Sequence, residues 1–200
     1  MDIIKNLSLL SIENFVSKYI EFVYLYILLL LNMEKYDDEK VFFIADTHFW
    51  SERILHYENR PFKSVDEMDN TLITNWNNTV WKNDIVWFLW DFWDDTFLSQ
   101  LNWKKYLVRW NHETKENNYY IKLWFIEVYD LPVIFENFWI LSHEPLYVNA
   151  NMPYANIFAH VHLNPMYKTA SEQSFCVSCD RIGFKPISFA EIKAEIQNQK

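Results

Sequence analysis

The hydrophobic pattern divides the chain into an opening apolar segment and a longer stretch in which two periodicities alternate. Phe22 to Leu31 reads FVYLYILLLL without a polar interruption, behind Lys18 and Glu21. The run falls well short of the roughly 20 apolar residues that span a bilayer as a helix. The basic region before it is weak for a signal peptide, and no small-x-small cleavage site follows. Two readings stand: residues 15–31 form a signal anchor or interfacial helix that touches a membrane, or Met33 is the true start. In the second case residues 1–32 are an apolar extension outside the native protein, and 33–200 is the domain. From Lys40 onward, short apolar runs predict strands at Val41–Ala45, Asp84–Leu89, Lys105–Arg109, Ile126–Phe135, Phe138–Ser142, Asn156–Ala159, Phe175–Ser178 and Pro186–Ser188. Glu136-Asn137 is the turn between the fourth and fifth of these. Helical spacing of Val65, Met68, Leu72, Ile73 and Trp76 predicts a helix over Ser64–Val80, with Ser64 as N-cap and Glu67 completing a capping box. Further helices are expected at Thr114–Leu123 and Phe189–Gln197. Helices and strands alternate first and strands pair later, so the expected fold is α/β with a mixed sheet and helices on its faces.

Composition narrows the function. The 200 residues are half apolar, enough for a substantial core, and 18 basic against 27 acidic residues leave a net charge of -9. Such a surface does not suit sequence-independent nucleic-acid binding, which needs a basic face, and no sequence-specific nucleic-acid binding is expected. A small phosphorylated substrate held through metal ions remains compatible. Two cysteines, Cys176 and Cys179, are too few for a disulfide scaffold, so a reducing, cytoplasmic setting is expected.

The candidate chemistry lies in the histidines. Five of the six close a predicted strand beside acidic or amide residues: Asp46-Thr47-His48, Trp110-Asn111-His112-Glu113, Ser142-His143 and His160-Val161-His162, with Trp90-Asp91 ending another strand. Strand ends are where open α/β sheets build their sites. Mixed imidazole and carboxylate donors suit Mn, Fe, Zn or similar ions. Asp46 and His48, at i and i+2, point the same way along an extended chain.

This ordered set resembles the calcineurin-like metallophosphoesterase superfamily, whose pattern is D-x-H, G-D, G-N-H-[D/E], H and G-H-x-H. The match runs from about Val41 to Ser188. Arg60-Pro61-Phe62 and Asn75-Trp76-Asn77 also resemble small bacterial and phage-type members. The resemblance implies a four-layer sandwich, two mixed β-sheets flanked by helices, and hydrolysis of a phosphate mono- or diester. It implies two divalent metal ions: Asp46, His48, Asp91 and His162 around one, and Asp91, Asn111, His143 and His160 around the other, with Asp91 bridging. A metal-bridging hydroxide would attack, and His112, binding no metal, would serve as general acid or charge stabiliser. The physiological substrate and the oligomeric state are left open.

The departures from that pattern fall on glycines. About 14 glycines would be ordinary for this length, yet there is one, Gly183, against ten tryptophans. Family glycines read as Trp50, Trp90 and Trp110, and Ala159 stands for another. Trp93, Trp103 and Trp124 occupy glycine-like contexts, whereas Trp76 fits an apolar helix position, and Trp81, Trp87 and Trp139 stay undecided. One reading is that the gene encodes glycine with UGA and was translated with a table that reads UGA as Trp. The other is that the tryptophans are genuine, and the chain is a catalytically impaired scaffold or binding protein. Among the remaining features, Arg60 either contacts a substrate phosphate or, as is commoner for an arginine before proline, lies at the surface; His56 is expected at the surface or in helix packing, Arg109 in a structural role, Glu113 as a cap of the following helix or in a hydrogen bond that orients a ligand, and Asp94-Asp95 in a solvated turn.

Overall fold

The computed structural model describes residues 18, 19, 23, 37–102, 104–110 and 115–199. The chain divides into two compact units, Met1–Tyr36 and Asp37–Lys200. In the first, Lys18, Tyr19 and Val23 are helical; the rest of the run Phe22–Leu31 lies outside the described residues. Among the described residues, no helix is long and apolar enough to cross a membrane.

The second unit is α/β, with two mixed five-stranded sheets. Its strands are β1 (Val41–Ile44), β2 (Ile85–Phe88), β3 (Lys104–Val108), β4 (Phe125–Tyr129), β5 (Val133–Phe135), β6 (Trp139–Leu141), β7 (Ala155–Phe158), β8 (Ala170–Ser171), β9 (Ser174–Cys176) and β10 (Ile187–Ser188). Its helices are α1 (Glu52–Tyr57), α2 (Val65–Thr79), α3 (Asn117–Lys122) and α4 (Phe189–Gln197). The first sheet runs β10-β1-β2-β3-β4 and the second β5-β6-β7-β9-β8. β1 to β4 are mutually parallel, as are β6, β7 and β9, while β10, β5 and β8 pair antiparallel. Parallel strands covered on both faces need no alternation, and accordingly all of β1 and all of β7 are buried.

One expected strand is two. Ile126–Phe135 breaks at Asp130-Leu131-Pro132, so that β4 closes the first sheet and β5 opens the second. Proline lacks the N–H that a continuous interior strand would need there. Glu136 and Asn137, both left-handed (φ 52° and 55°), make the β5–β6 hairpin, the geometry of a type I′ turn.

The core has two aromatic layers. Between the sheets, Phe43, Phe135 and Phe189 of α4 pack with ring centroids 5.3–6.0 Å apart, joined by Trp87 on Phe135 and Trp139 on Phe189. On the other face of the first sheet, Met68, Leu72 and Trp76 of α2 are buried. The Trp76 indole stacks on Phe88 at 5.8 Å and donates its N–H to the Asn102 carbonyl. Ser64 caps α2 by accepting from the Glu67 amide, but the Glu67 carboxylate takes the Lys63 N–H instead of that of Ser64. A full capping box forms at Ser188 and Glu191 of α4. The partly exposed Asp94-Asp95 turn is more organised than a solvated turn needs: Asp94 caps a 3-10 turn over Asp95–Gln100, and the Asp95 carboxylate holds Lys115 and Tyr119.

Hydrogen bonds join the C-terminal ends of the two parallel sets. The Ala45 amide donates to the Val177 carbonyl and the Cys179 amide to the Ala45 carbonyl, at 3.1 and 3.0 Å. The loops after β1, β2, β6, β7 and β9 therefore meet at one place.

Candidate metal centre

Asp46 and His48 follow β1, Asp91 follows β2, His143 follows β6, and His160 and His162 follow β7. Asn111, His112 and Glu113 lie outside the described residues. The six described side chains converge. His48 Nε2 faces His162 Nε2 at 3.2 Å, and His143 Nε2 faces His160 Nδ1 at 3.1 Å. Asp46, His48 and His162 bring donor atoms within 4.8 Å of one another. Asp91 Oδ2 stands 3.7 Å from His48 Nδ1, and Asp46 Oδ1 stands 4.0 Å from His143 Nδ1.

The outward bonds of these residues fit them for a cation. Asp46 Oδ2 accepts from the Ser178 hydroxyl and the His160 amide. Its Oδ1 is buried without a hydrogen-bond partner, a costly condition for a carboxylate unless something positive meets it. The far nitrogen of His143 lies 2.8 Å from the Leu89 carbonyl, and that of His162 lies 2.7 Å from the Asp180 carboxylate. Both partners are acceptors, so each ring donates from Nδ1 and keeps its Nε2 lone pair for the centre. Metal-ligating histidines are characteristically anchored in this way.

Charge follows from burial and neighbours. Burial works to raise the Asp46 carboxyl, but the surrounding His143, His162 and His48 outweigh it and hold it below the usual range. Burial raises Asp91. His160 is lowered by burial and by His143. Burial opposes protonation of His162, yet the bond to Asp180 and the charge of Asp46 leave it raised. Burial lowers His48 from 6.5 to about 4, so this ring is neutral and ligand-ready near pH 7.

A pH dependence of the metal-free protein follows from His48. Between pH 6.5 and about 4 the unfolded chain binds a proton at this position that the folded chain does not, so stability falls as the pH drops through that window. His162 contributes with the opposite sign, because its pKa is raised; its contribution is present at low pH and lost as the pH rises. Urea titrations of chelator-treated protein across that window should show a shallower acid loss for His48→Asn than for the unmodified chain. Equal slopes would refute the burial of a neutral His48.

Several residues that shape the centre escaped the sequence reading. Arg60 is 5% exposed, not a surface residue, because its guanidinium is enclosed by Asp180 and the carbonyls of Asp46 and Thr47. Asp69 of α2 is buried and accepts the Trp50 amide, bracing the loop after His48; burial raises its carboxyl to about 6. The available signal was a carboxylate on the apolar face of α2, next to Met68. Asn156 inside β7 donates to the Ile140 carbonyl and Ser142 Oγ and accepts the Leu146 amide, shaping the loop that carries His143. His56 of α1 is exposed, as expected.

The tryptophans separate by backbone conformation. Trp50, Trp90, Trp93 and Trp124 have φ of 62°, 51°, 63° and 72°, the left-handed region that favours glycine. Trp50, Trp93 and Trp124 are 61%, 66% and 73% exposed. Trp76, Trp87 and Trp139 are buried core residues with ordinary backbone. Trp110 also has ordinary backbone, but its indole lies 6.0 and 6.1 Å from the rings of His143 and His160. Trp93 lies 6.4 Å from His48. Trp103 lies outside the described residues.

The fold and site define an α/β protein with a histidine–carboxylate centre where the C-terminal ends of strands from two mixed sheets meet. The chain belongs to the family of the uncharacterized protein MJ1445 of Methanocaldococcus jannaschii, with which it is 31% identical over 177 residues, covering 80% of this chain and 93% of that protein. The crystal structure of the protein of unknown function AQ665 from Aquifex aeolicus has a similar fold: the TM-score is 0.56 at 24% identity, covering 77% of this chain and 97% of that one. No family model matches the chain.

Proposed function

We propose that the protein is a metal-dependent phosphoesterase of the calcineurin-like superfamily, built as that superfamily's four-layer sandwich and acting on a phosphate mono- or diester. The observation that carries this reading is the convergence of Asp46, His48, Asp91, His143, His160 and His162 from four strand-end loops, in the order of the family motifs, with Asp46 Oδ1 buried and unpartnered. The donor set fits two divalent ions of the Mn, Fe or Zn type. Asp46, His48, Asp91 and His162 would hold one, and Asp91, Asn111, His143 and His160 the other. When bound, such ions supply Lewis-acid charge and lower the pKa of water. The chain's own part is to fix its ligands through the Leu89 carbonyl, Asp180 and Ser178. His112 would donate a proton or a hydrogen bond at the departing oxygen.

The test is metal analysis of purified protein together with hydrolysis of bis-p-nitrophenyl phosphate and p-nitrophenyl phosphate. Bound divalent metal is expected, with turnover that a chelator abolishes and added manganese restores. Absence of both metal and turnover in a chain carrying glycine at 50, 90, 93 and 110 would defeat the proposal. A second reading, an impaired scaffold of the same fold, is favoured by the Trp110 indole beside His143 and His160, and it stands only if that tryptophan is genuine.

A further inference from the structure

We infer that Asp180 and Arg60 are positioning residues that set the tautomer of His162 and the shape of the Asp46–His48 turn. The inference rests on the phosphoesterase reading only in taking the centre to be a metal site. Asp180 lies in the 3-10 turn Cys179–Arg181 after β9, and Arg60 in the loop between α1 and α2. Both side chains are fully buried. Asp180 Oδ1 accepts from Arg60 Nε at 2.7 Å; Oδ2 accepts from Arg60 Nη2 at 3.0 Å and from His162 Nδ1 at 2.7 Å. Every group facing this carboxylate through those bonds is a donor, and the His162 proton is thereby held on Nδ1. The Nε2 lone pair is left pointing at His48.

The same guanidinium also reaches back to the first motif. Nη1 donates to the Thr47 carbonyl at 2.8 Å and Nη2 to the Asp46 carbonyl at 2.7 Å. Asp46 and His48 have φ of 56° and 49°, a conformation unfavourable to a side-chain-bearing residue that persists only where surrounding bonds enforce it. Arg60 supplies two of those bonds. One buried ion pair therefore fixes a ligand on the second sheet and the turn carrying two ligands on the first. Arginine suits this task because its planar fork can serve a carboxylate and two carbonyls at once.

Asp180→Leu is the informative substitution because it keeps the size of the side chain but removes both acceptor oxygens. His162 Nδ1 then loses its acceptor, and the Arg60 guanidinium left beside it offers only donors. The ring is then expected to accept there and carry its proton on Nε2, which removes the lone pair from the centre. Side-chain 15N NMR of metal-free, histidine-labelled full chain at alkaline pH should show His162 as the Nδ1–H tautomer in the unmodified protein and as Nε2–H in Asp180→Leu. Cobalt titration followed by visible absorption should show one binding event weakened about 10- to 100-fold in the variant, with the other unchanged. An Nε2–H tautomer in the unmodified protein would overturn the inference whether or not the variant folds. So would a folded variant that retains Nδ1–H and unaltered cobalt affinity. Failure of the unmodified protein to bind cobalt at all would count against the phosphoesterase reading, while the tautomer still decides the role of Asp180.

Discussion

Asp91→Asn is expected to lower phosphodiester turnover by about 10²- to 10³-fold, a loss of the size seen when a single charge-stabilising group is removed from an active site, and to strip the protein of bound metal. Asp91 stands at the end of β2 with Oδ2 3.7 Å from His48 Nδ1. Its Oδ1 accepts the Trp93 amide at 2.8 Å, a bond that an asparagine oxygen can keep. The substitution thus removes a negative charge and little else. Burial already raises the Asp91 carboxyl, so the metal-free variant should melt no lower than metal-free unmodified protein. Elemental analysis, a chromogenic phosphodiester assay and thermal denaturation would be read together. A variant that retains metal and turnover would exclude the bridging role.

Glycine substitutions at the tryptophans should divide into opposite outcomes. Trp50→Gly, Trp93→Gly and Trp124→Gly are each expected to stabilise the protein by about 1 kcal/mol, because each relieves a left-handed residue and forfeits little packing from an exposed indole. Trp76→Gly should cost about 4 kcal/mol or more, since it empties a core position and places glycine inside a helix. Trp90 combines both terms: its φ is 51°, but its ring packs on Phe92 at 4.5 Å. Urea melts of the single variants test the division, and the codons offer a direct check. UGA is expected at Trp50, Trp90, Trp93 and Trp124, with UGG at Trp76, Trp87 and Trp139. UGG at Trp90 and Trp110 would end the recoding hypothesis and favour the impaired scaffold. Glycine at 93 and 110 would remove the indoles beside His48, His143 and His160, clearing space for a phosphate ester.

What could be read in the sequence was local. The strands at Val41, Asp84, Phe138 and Asn156 are short, mostly apolar runs, and α2 and α4 carry Ser caps and helical spacing, so backbone preference and burial agree. The ligand candidates were legible because strand-end loops place histidine and aspartate together within a few residues. Left-handed backbone could also be anticipated at Trp50, Trp90, Trp93 and Trp124, since a compact chain needs such positions and glycine was missing from them. The break at Pro132 was missed because apolar residues continue on both sides of it while the strand changes sheets.

The sequence by itself determined the α/β alternation, the helix caps and the residue types available for a histidine–carboxylate site. Only the tertiary structure decided that the residues just past β1 and β9 pair side by side, so that Asp46 lies beside Ser178 and Cys179. It also buried Arg60 against Asp180, 120 residues further along the chain. The physical reason is that periodicity and capping act over a few neighbouring residues. A hydrogen bond to a buried carboxylate depends instead on which chain ends the packing of two sheets brings together, and no local pattern encodes that choice.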